Sequence, residues 1–315
     1  MIEVEGLTKY YGAYPAIRDV SFTVEEGDVV AFLGPNGAGK TTTMRILTSY
    51  TAPTSGRASI AGFDVWDDAL DSRRHIGYLP ETSPLYADLS VRQHLFYGAR
   101  LCDYPESKLR SRVDEVMQIC GVADRANTLV NKLSKGYRQR VGLALAIVHD
   151  PPVVILDEPT IGLDPRQVVE TRRLIKELGK QHTVMLSTHI LPEAQSVAER
   201  VLIINQGAIV AEDTPENLTA QIRRVQTYIV RVRDTRAEVA GRMRDMPGIG
   251  GVRRTPDTGD GACYEVDTPM DGRDMRADIA EFVVKNGWGL LEVSPVEMSL
   301  EDVFLRLTTE GEGVA

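Results

Sequence analysis

Short apolar runs alternate with amphipathic stretches through the first two thirds of the chain. The runs are almost wholly apolar and rich in β-branched residues, and they comprise 29–33, 153–156, 183–187 and 201–204. Such runs are typical of strands buried on both faces of a parallel sheet. Helical patterns lie between them, at 40–48, 167–178 and 192–199. The alternation predicts an α/β fold with helices on both faces of the sheet.

The stretch 82–150 has a different pattern. Its periodic segments are all helical in pattern, and they comprise 91–101, 105–120 and 137–149. No segment of this stretch has a convincing strand pattern. We therefore expect a helical insertion into the α/β core.

The composition changes near residue 222, and the pattern that follows is again mixed. Strand patterns at 227–232, 251–254, 262–266 and 290–293 accompany helical patterns at 236–246 and 272–286. This β-α-β-β-α-β order is typical of a ferredoxin-like unit. The sequence therefore predicts two domains: residues 1–222, with a helical subdomain at about 82–150, and a small α+β domain at 223–315.

Composition and charge narrow the functional classes. Of the 315 residues, 43% are apolar and 26% are charged, and the formal net charge is −9. The size and composition are typical of a globular protein with a sizeable core. An acidic chain lacks the basic surface that general nucleic-acid binding needs, so we expect no nucleic-acid partner.

The sequence also bears on location. The longest uninterrupted apolar run is 141–148, far short of the roughly 18–20 residues that span a bilayer. The three cysteines, Cys102, Cys120 and Cys263, are scattered without metal-ligand spacing, which favours reduced thiols in a cytoplasmic protein. If the protein acts at a membrane, another subunit must cross it.

One segment has the pattern G-x-x-x-x-G-K-[ST] between an apolar run and a helical pattern. It consists of Gly34, Pro35, Asn36, Gly37, Ala38, Gly39, Lys40 and Thr41. Glycines let successive N–H groups converge on phosphates, and the helix N-terminus adds positive potential. We expect Lys40 to contact the β- and γ-phosphates of a nucleotide, Thr41 to provide a hydroxyl to Mg²⁺, and Thr42 to contact the α-phosphate.

Two apolar runs end in side chains suited to hydrolysis. Asp157 and Glu158 follow the run 153–156, and His189 follows 183–187. We expect Asp157 to bind Mg²⁺ and Glu158 to orient or deprotonate an attacking water molecule. Parallel strands end at a shared edge, so His189 can reach the γ-phosphate and donate a hydrogen bond to it. A solvated acidic turn and a structural histidine are the alternatives.

Five further segments resemble those of the ATP-binding-cassette (ABC) proteins and occur in that family's order. They are LSKGYRQR at 133–140 as the signature, GLDP at 162–165 as the D-loop, Thr188-His189 as the switch histidine, IGYLPE at 76–81 as the Q-loop, and Tyr11 as an adenine-stacking aromatic. The resemblance covers residues 1 to about 220. It implies a P-loop NTPase (RecA-like) core that binds ATP and Mg²⁺ and hydrolyses ATP.

The resemblance also implies roles across a dimer. Ser134 and Gly136 precede a helix that we expect to start near Tyr137, and they would cap the γ-phosphate of ATP bound by a second cassette. Asp164 would signal across the dimer, although simple turn chemistry is the alternative. One cassette alone should therefore hydrolyse ATP poorly.

The chain departs from the usual family pattern at two places. Lys135 and Tyr137 replace a glycine and the glutamine of LSGGQ, and Glu81 replaces the Q-loop glutamine. Glu81 can still contact Mg²⁺ or water through an oxygen, but it adds negative charge beside the phosphates. For adenine stacking, Tyr14 is the alternative to Tyr11.

The signature and the C-terminal domain are similar to those of bacterial type-2 ABC exporters of the gliding-motility, multidrug and sodium-export kind. The resemblance implies an ATPase subunit that pairs with a second cassette, most simply as a homodimer. It would energise a separate membrane-spanning permease from the cytoplasmic face of the cell membrane. Two other classes stay open: a soluble ABC ATPase that acts on nucleic acid or ribosomes, and a switch module regulated by a ligand of the C-terminal domain.

Overall fold

The computed structural model describes residues 1–222, 225–236, 238–255, 261–269 and 273–295. The chain forms two compact units, one comprising Met1–Pro215 and the other comprising the described residues from Glu216 onward. In the part of the chain that the structure describes, no helix combines the length and the apolar character that crossing a membrane requires.

The first unit contains strands and helices in alternation. Its strands are β1 (Ile2–Tyr11), β2 (Tyr14–Val24), β3 (Val29–Leu33), β4 (Ser55–Ile60), β5 (Phe63–Asp64), β6 (Ile76–Leu79), β7 (Val153–Asp157), β8 (Thr183–Thr188), β9 (Arg200–Asn205) and β10 (Ala208–Asp213). Its helices are α1 (Lys40–Leu47), α2 (Ala69–Arg74), α3 (Val91–Leu101), α4 (Glu106–Ile119), α5 (Lys135–Ile147), α6 (Pro165–Leu178) and α7 (Leu191–Val197). Helix α8 (Pro215–Ile222) begins at the end of this unit.

The central sheet of this unit has the strand order β10-β9-β3-β8-β7-β6. Its strands run parallel, except that β10 pairs antiparallel with β9 at one edge. Every residue of β3, β7 and β8 is buried, which explains why these strands are continuous apolar runs. The predicted α/β fold is therefore confirmed. The carboxyl ends of β3, β8 and β7 lie side by side, so the residues that follow them meet at one edge.

A second sheet has the order β2-β1-β4-β5 and is antiparallel throughout. In β1, Ile2 and Val4 are buried while Glu3 and Glu5 are exposed, as expected of a strand with one solvated face. Side chains of both sheets form one apolar cluster, which includes Ile2, Phe22, Phe32 and Leu202. The apolar runs of the sequence do not predict this sheet, because alternate residues of its strands are polar.

Between β6 and β7 the chain forms α3, α4 and α5. Helix α3 starts with a capping box, in which Ser90 and Gln93 each accept a hydrogen bond from the other's backbone N–H. Buried Arg112 of α4 donates to the carbonyl oxygens of Ile147 and Val148 at the end of α5. These bonds satisfy groups that a helix terminus would otherwise leave unpaired, and they join α4 to α5.

The second unit is an antiparallel sheet accompanied by two helices. Its elements after α8 are β11 (Val225–Val232), α9 (Glu238–Arg244), β12 (Gly251–Thr255), β13 (Ala262–Pro269), α10 (Arg276–Lys285) and β14 (Leu290–Pro295). The strand order is β12-β13-β11-β14. Its core includes Val230, Tyr264, Val266 and Trp288. The element order is the β-α-β-β-α-β order of the sequence analysis, although α10 starts at Arg276 rather than near 272.

Candidate functional site

The loop after β3 is built for close approach of a ligand to the backbone. Gly37 and Gly39 have φ angles of +81° and +111°, a region that glycine adopts without strain. A Cβ atom on Gly39 would lie 2.6 Å from Cγ2 of Ile17. Helix α1 begins directly after Gly39, at Lys40, so its first N–H groups are free to bind a ligand. The loop and the helix N-terminus together suit a polyphosphate.

The side chain of Lys40 is buried beside this loop. Its Nζ donates to the carbonyl oxygens of Gly34, at 2.8 Å, and Pro35, at 3.2 Å. The same atom lies 3.4 Å from Oε1 of Glu158. A buried ammonium group requires such partners. They hold its charge between the phosphate loop and the end of β7.

Asp157 and Glu158 are positioned by a serine on the neighbouring strand. The Oγ of Ser187, on β8, donates to Oδ1 of Asp157 at 2.5 Å. The same Oγ accepts from the N–H of Glu158 at 3.0 Å. Burial raises the pKa of Asp157, while hydrogen bonds from Ser187 and Thr41 act in the opposite direction. Asp157 is thus a buried carboxyl group with an oxygen next to the Thr41 hydroxyl.

Glu158 turns away from the path of the strand. Its φ angle is +49°, which is uncommon for a residue with a side chain and often marks a functional site. Its Oε2 lies 2.9 Å from Nδ1 of His189, which follows β8. Lys40 and His189 therefore contact opposite oxygens of one carboxylate. A carboxylate held in this way can orient or deprotonate a water molecule.

A cavity of about 580 Å³ brings most of the predicted residues together. The predicted site residues that line it are Tyr11, Asn36, Gly37, Gly39, Lys40, Thr41, Thr42, Glu81, Glu158 and His189. Tyr14, Ala16 and Ile161 complete the lining. A phosphate loop, two exposed tyrosines and a carboxylate–histidine pair thus share one cavity. Its size suits a nucleotide.

Four predicted residues lie beside this cavity and do not line it. Gly34 and Pro35 act through the carbonyl groups that bind Lys40, and Ala38 is buried in the loop. Asp157 lines an adjoining groove of about 500 Å³, to which Thr41 and Glu81 also contribute.

The signature segment is at the start of α5. The helix begins at Lys135 rather than near Tyr137, so Gly136 lies in its first turn. Ser134 is the N-cap, and its Oγ accepts from the N–H of Tyr137 at 3.4 Å. A Cβ atom on Gly136 would lie 2.4 Å from Oε1 of Gln167. Glycine at this position therefore lets α6 approach α5 closely.

Asp164 is the N-cap of α6, and its Oδ1 accepts from the N–H of Gln167 at 3.0 Å. Within the described residues, neither Asp164 nor the signature residues Ser134 and Gly136 line the cavity that contains Lys40. The structure therefore separates these three predicted residues from the rest of the site.

Three polar side chains hold the segment after β7, and none of them is among the predicted site residues. Ser187 accepts from the first N–H after the strand, Gln139 donates to the carbonyl oxygen of Pro159 at 2.9 Å, and Glu193 accepts from Oγ1 of Thr160 at 2.5 Å. Their partners are distant in sequence, so no short motif identifies the contacts. The one available signal is that Gln139 lies inside the signature segment.

Comparisons with known proteins identify the family. The family model described as ABC transporter matches residues 17–161. The bacitracin transport ATP-binding protein BcrA of Bacillus licheniformis is 31% identical over 320 residues, which cover 99% of this chain and 98% of that protein. A solved ATP binding subunit of an ABC transporter has a TM-score of 0.65 at 32% identity, covering 70% of this chain and 92% of the other.

A second solved structure bears on the reaction. It is the dimeric post-hydrolysis state of the ATP-binding cassette MJ0796 bound to ADP and phosphate, with a TM-score of 0.63 at 27% identity, covering 68% of this chain and 98% of the other. The fold is thus that of a cassette that binds and hydrolyses ATP. This chain belongs to the ATP-binding proteins of the ABC transporter family.

Proposed function

We propose that this protein is the ATP-hydrolysing subunit of a membrane exporter and that it works as a pair of cassettes. The observation that carries the proposal is the separation of Ser134 from the nucleotide cavity of its own chain. The N-terminus of α5, with its serine, suits a phosphate group. It serves a nucleotide held by Lys40 of a second copy, so each complete site needs two chains.

The reaction takes place at the γ-phosphate of ATP. The N–H groups of the phosphate loop and the ammonium group of Lys40 bind the phosphates. Glu158 orients the attacking water and accepts its proton as the water oxygen bonds to the γ-phosphorus. The bond from the γ-phosphorus to the bridging oxygen breaks, and ADP and phosphate leave. His189 holds the Glu158 carboxylate through a contact of 2.9 Å and is close enough to the cavity to donate to the γ-phosphate.

Magnesium fits the residues beside the loop. Oγ1 of Thr41 lies 3.5 Å from Oδ1 of Asp157, and hydroxyl and carboxylate oxygens are ligands that Mg²⁺ prefers. Among the described residues, no group of three or more His, Cys, Asp or Glu side chains could hold a metal ion, so phosphate oxygens and water would complete the shell. We assign Thr41, Asp157 and Glu81 to the ion, which when bound neutralises charge on the phosphates.

Asp164 and the signature are in close proximity within one chain, which supports communication between the two sites of a dimer. A Cβ atom on Gly162 would lie 1.9 Å from Nζ of Lys135, so Lys135, one of the two signature residues that depart from the family pattern, covers the D-loop. A shift of α5 on binding the partner's nucleotide would therefore displace the segment that carries Asp164.

The groove next to Glu81 suits a helix of a membrane-spanning permease. Apolar and small residues line it, including Leu79, Pro84, Leu85, Gly142 and Leu145. Thr41 and Asp157 line the same groove, so a helix bound there would contact residues that we assign to Mg²⁺. Export is supported by the resemblance of the signature to type-2 exporters, and the relative BcrA is named for bacitracin transport. The protein would then sit on the cytoplasmic face of the cell membrane.

We assign residues 223–315 to an accessory domain that follows a cassette of residues 1–222, with the helical subdomain at about 82–150. The second unit has its own apolar core, which supports an independent fold. It would strengthen the dimer, contact the permease or regulate the cassette.

The paired-cassette proposal can be tested by size-exclusion chromatography of the full chain. We expect Glu158→Gln to elute as a dimer with ATP and Mg²⁺, because it binds ATP without hydrolysing it. Adding Ser134→Arg to this variant should restore the monomer. Gln195→Arg, at an exposed position of α7, is the matched control and should leave the dimer intact. A Glu158→Gln variant that is saturated with ATP yet monomeric would refute the pairing.

The transport role can be tested by purification from detergent-solubilised membranes. We expect a membrane-spanning protein to co-purify with the wild type, and Leu85→Glu to lose it while retaining ATP binding. An ATPase rate stimulated by DNA, RNA or ribosomes would instead support the soluble ABC class. Loss of regulation with retained ATPase activity after truncation near residue 222 would support the switch module.

A further inference from the structure

Glu193 is a carboxylate in the interior of the protein. It lies on α7 with 2% of its surface exposed. Its Oε1 accepts from Oγ1 of Thr160 at 2.5 Å, and its Oε2 accepts from Oγ1 of Thr188 at 2.9 Å. Nη2 of Arg172, on α6, lies 3.5 Å from Oε1. The side chain does not line the nucleotide cavity, and the ATPase mechanism above does not use it.

The two threonines that contact Glu193 flank the hydrolytic pair. Thr160 is two residues after Glu158, and Thr188 directly precedes His189. One buried carboxylate therefore joins the two segments that carry these side chains. The Oε2 of Glu158 and Nδ1 of His189 are 2.9 Å apart, so a small displacement of either segment would lengthen a contact at the reacting end of the cavity.

Further bonds limit how these segments can move. The Thr188 hydroxyl accepts from the N–H of Ile190 at 3.0 Å, and the Thr188 carbonyl oxygen accepts from the N–H of Gly34 at 3.3 Å. The carbonyl oxygen of Pro159 accepts from Gln139 at 2.9 Å. Glu193 is thus part of a hydrogen-bond network in which the N–H of Ile190 also holds the Thr188 hydroxyl.

The chemistry of the site favours a carboxylate over an amide. Both oxygens of Glu193 act as acceptors, and each receives a hydroxyl hydrogen. A glutamine has one acceptor oxygen and an amide group that only donates, so one threonine would have to turn its hydroxyl away. Glutamine would also remove the negative charge that faces Arg172. Leaving a buried donor without an acceptor is unfavourable.

We propose that Glu193 is a positioning residue that sets the separation of Glu158 and His189 by holding Thr160 and Thr188. The proposal deepens the ATPase function proposed above and rests on it. Displacing a catalytic group by about 1 Å can reduce a rate by about 100-fold. Nucleotide binding depends on the phosphate loop, and the contacts of Glu193 are to Thr160, Thr188 and Arg172 rather than to that loop, so we expect the main effect on kcat rather than on KM.

Steady-state ATPase kinetics of full-length variants provide the test. We expect Glu193→Gln to lower kcat by about 10-fold or more with KM for ATP changed less than about two-fold. Gln195→Ala, at an exposed position on the same helix, is the control and should match the wild type. An unchanged kcat in Glu193→Gln would overturn the proposal. A fall in kcat that only follows a loss of folded protein, measured by circular dichroism at the assay temperature, would also overturn it.

Substitutions of Thr160 distinguish a positioning role from a general effect on stability. Thr160→Ser keeps the hydroxyl and should retain kcat, whereas Thr160→Val should lower it. If Glu193→Gln and Thr160→Val break the same contact, the kcat of the double variant should fall much less than the product of the two single reductions. Multiplicative effects, or a Thr160→Ser variant as slow as Thr160→Val, would contradict the proposal.

A measurement that does not need ATP hydrolysis distinguishes failure of this proposal from failure of the proposed function. A wild type that binds ATP but does not hydrolyse it would refute the ATPase function. The imidazole resonance of His189, assigned with His189→Asn, would still report the geometry of the pair by nuclear magnetic resonance. We expect it to shift in Glu193→Gln and to stay in place in Gln195→Ala, and an unshifted resonance in Glu193→Gln would overturn the positioning role.

Discussion

The Nζ atom of Lys40 and the Oε1 atom of Glu158 lie 3.4 Å apart, and the two side chains are only 6% and 7% exposed. A residue that we expect to bind phosphate and a residue that we expect to act on water thus form a buried ion pair. Removing one charge of such a pair leaves the other buried without compensation, which is strongly destabilising.

This pairing predicts that removing the charge of Lys40 destabilises the chain and that a second substitution, at Glu158, restores part of the loss. Lys40→Met should lose ATP binding and lower the free energy of unfolding by about 3 kcal/mol, because Glu158 keeps its charge. Glu158→Gln should retain ATP binding while hydrolysis falls by about 100-fold or more. The Lys40→Met/Glu158→Gln double variant should regain part of the lost stability. Denaturant unfolding measures this, and a double variant no more stable than Lys40→Met alone would contradict a direct pair.

The two tyrosines of the cavity differ in their surroundings. Tyr11 is 48% exposed and Tyr14 is 63% exposed, and Nζ of Lys9 lies 5.3 Å from the centre of the Tyr11 ring. If Tyr11 stacks on adenine, Tyr11→Ala should weaken ATP binding by about 10-fold, since stacking on one base contributes about 1–3 kcal/mol. Tyr11→Phe should bind as the wild type does. Calorimetric titration in the Glu158→Gln background measures this, and a larger loss from Tyr14→Ala would assign the stacking to Tyr14.

Glu81 lines both the nucleotide cavity and the adjoining groove. Its negative charge lies where the phosphates of ATP would bind, so we expect Glu81→Gln to raise kcat/KM by about five-fold. A change of this size is what one nearby charge in a solvated site produces. Glu177→Gln, on α6 and away from both cavities, is the control. An inactive Glu81→Gln would show that the carboxylate is needed, as a ligand or as a base.

The parts of the site that local sequence determines could be predicted. The runs 29–33 and 153–156 became buried strands, because strands covered on both faces need apolar residues throughout. The phosphate loop followed from its glycines, which are required by backbone conformation rather than by distant partners. The proximity of Glu158 and His189 could be predicted because parallel strands end at one edge.

What depends on contacts between distant segments could not be predicted. Glu193 reads as an ordinary charged residue on an amphipathic helix, and only the fold brings it to Thr160 and Thr188. The role of Ser187 could not be predicted for the same reason, because its hydrogen bond to Asp157 joins residues of two strands that are 30 positions apart in sequence. The first antiparallel sheet was missed for another reason, since Glu3 and Glu5 interrupt the apolar pattern on its solvated face.

His94 supplies a prediction on pH. It is 2% exposed on α3, neither of its ring nitrogens has a hydrogen-bond partner among the described residues, and burial lowers its pKa. The unfolded chain therefore binds a proton near pH 6.5 that the folded chain does not, so stability should fall as the pH drops below about 6.5. We expect His94→Leu to lose less stability than the wild type between pH 7 and pH 5, as measured by thermal unfolding.

A second buried histidine contributes to the pH dependence of stability that remains in His94→Leu. Burial also lowers the pKa of His149, so the single variant should keep part of the slope and His94→Leu/His149→Leu should keep less. Equal slopes in the wild type and in His94→Leu would mean that His94 titrates normally in the folded chain.

Cys120 is a buried thiol at the end of α4, and burial raises its pKa to about 12. The thiolate is the form that reacts with disulfide reagents. We therefore expect Cys120 to stay unreactive towards dithiobis-nitrobenzoate at pH 8 in the folded chain and to react after unfolding in guanidinium. Cys120→Ala should release the same amount of chromophore when folded and one equivalent less when unfolded. A rapid native reaction that Cys120→Ala abolishes would contradict this.

The same thiol also affects stability in alkali. The folded chain keeps the Cys120 proton up to about pH 12, whereas the unfolded chain loses it near the ordinary value of 9.0. The unfolded state thus binds fewer protons in this interval, and the free energy of unfolding should decrease as the pH rises through it. In Cys120→Ala this contribution is absent, and the smaller side chain lowers the free energy of unfolding by an amount that does not depend on pH. The stability difference between the wild type and Cys120→Ala should therefore shrink from pH 8.5 to pH 10, and a difference independent of pH would show that the thiol titrates alike in both states.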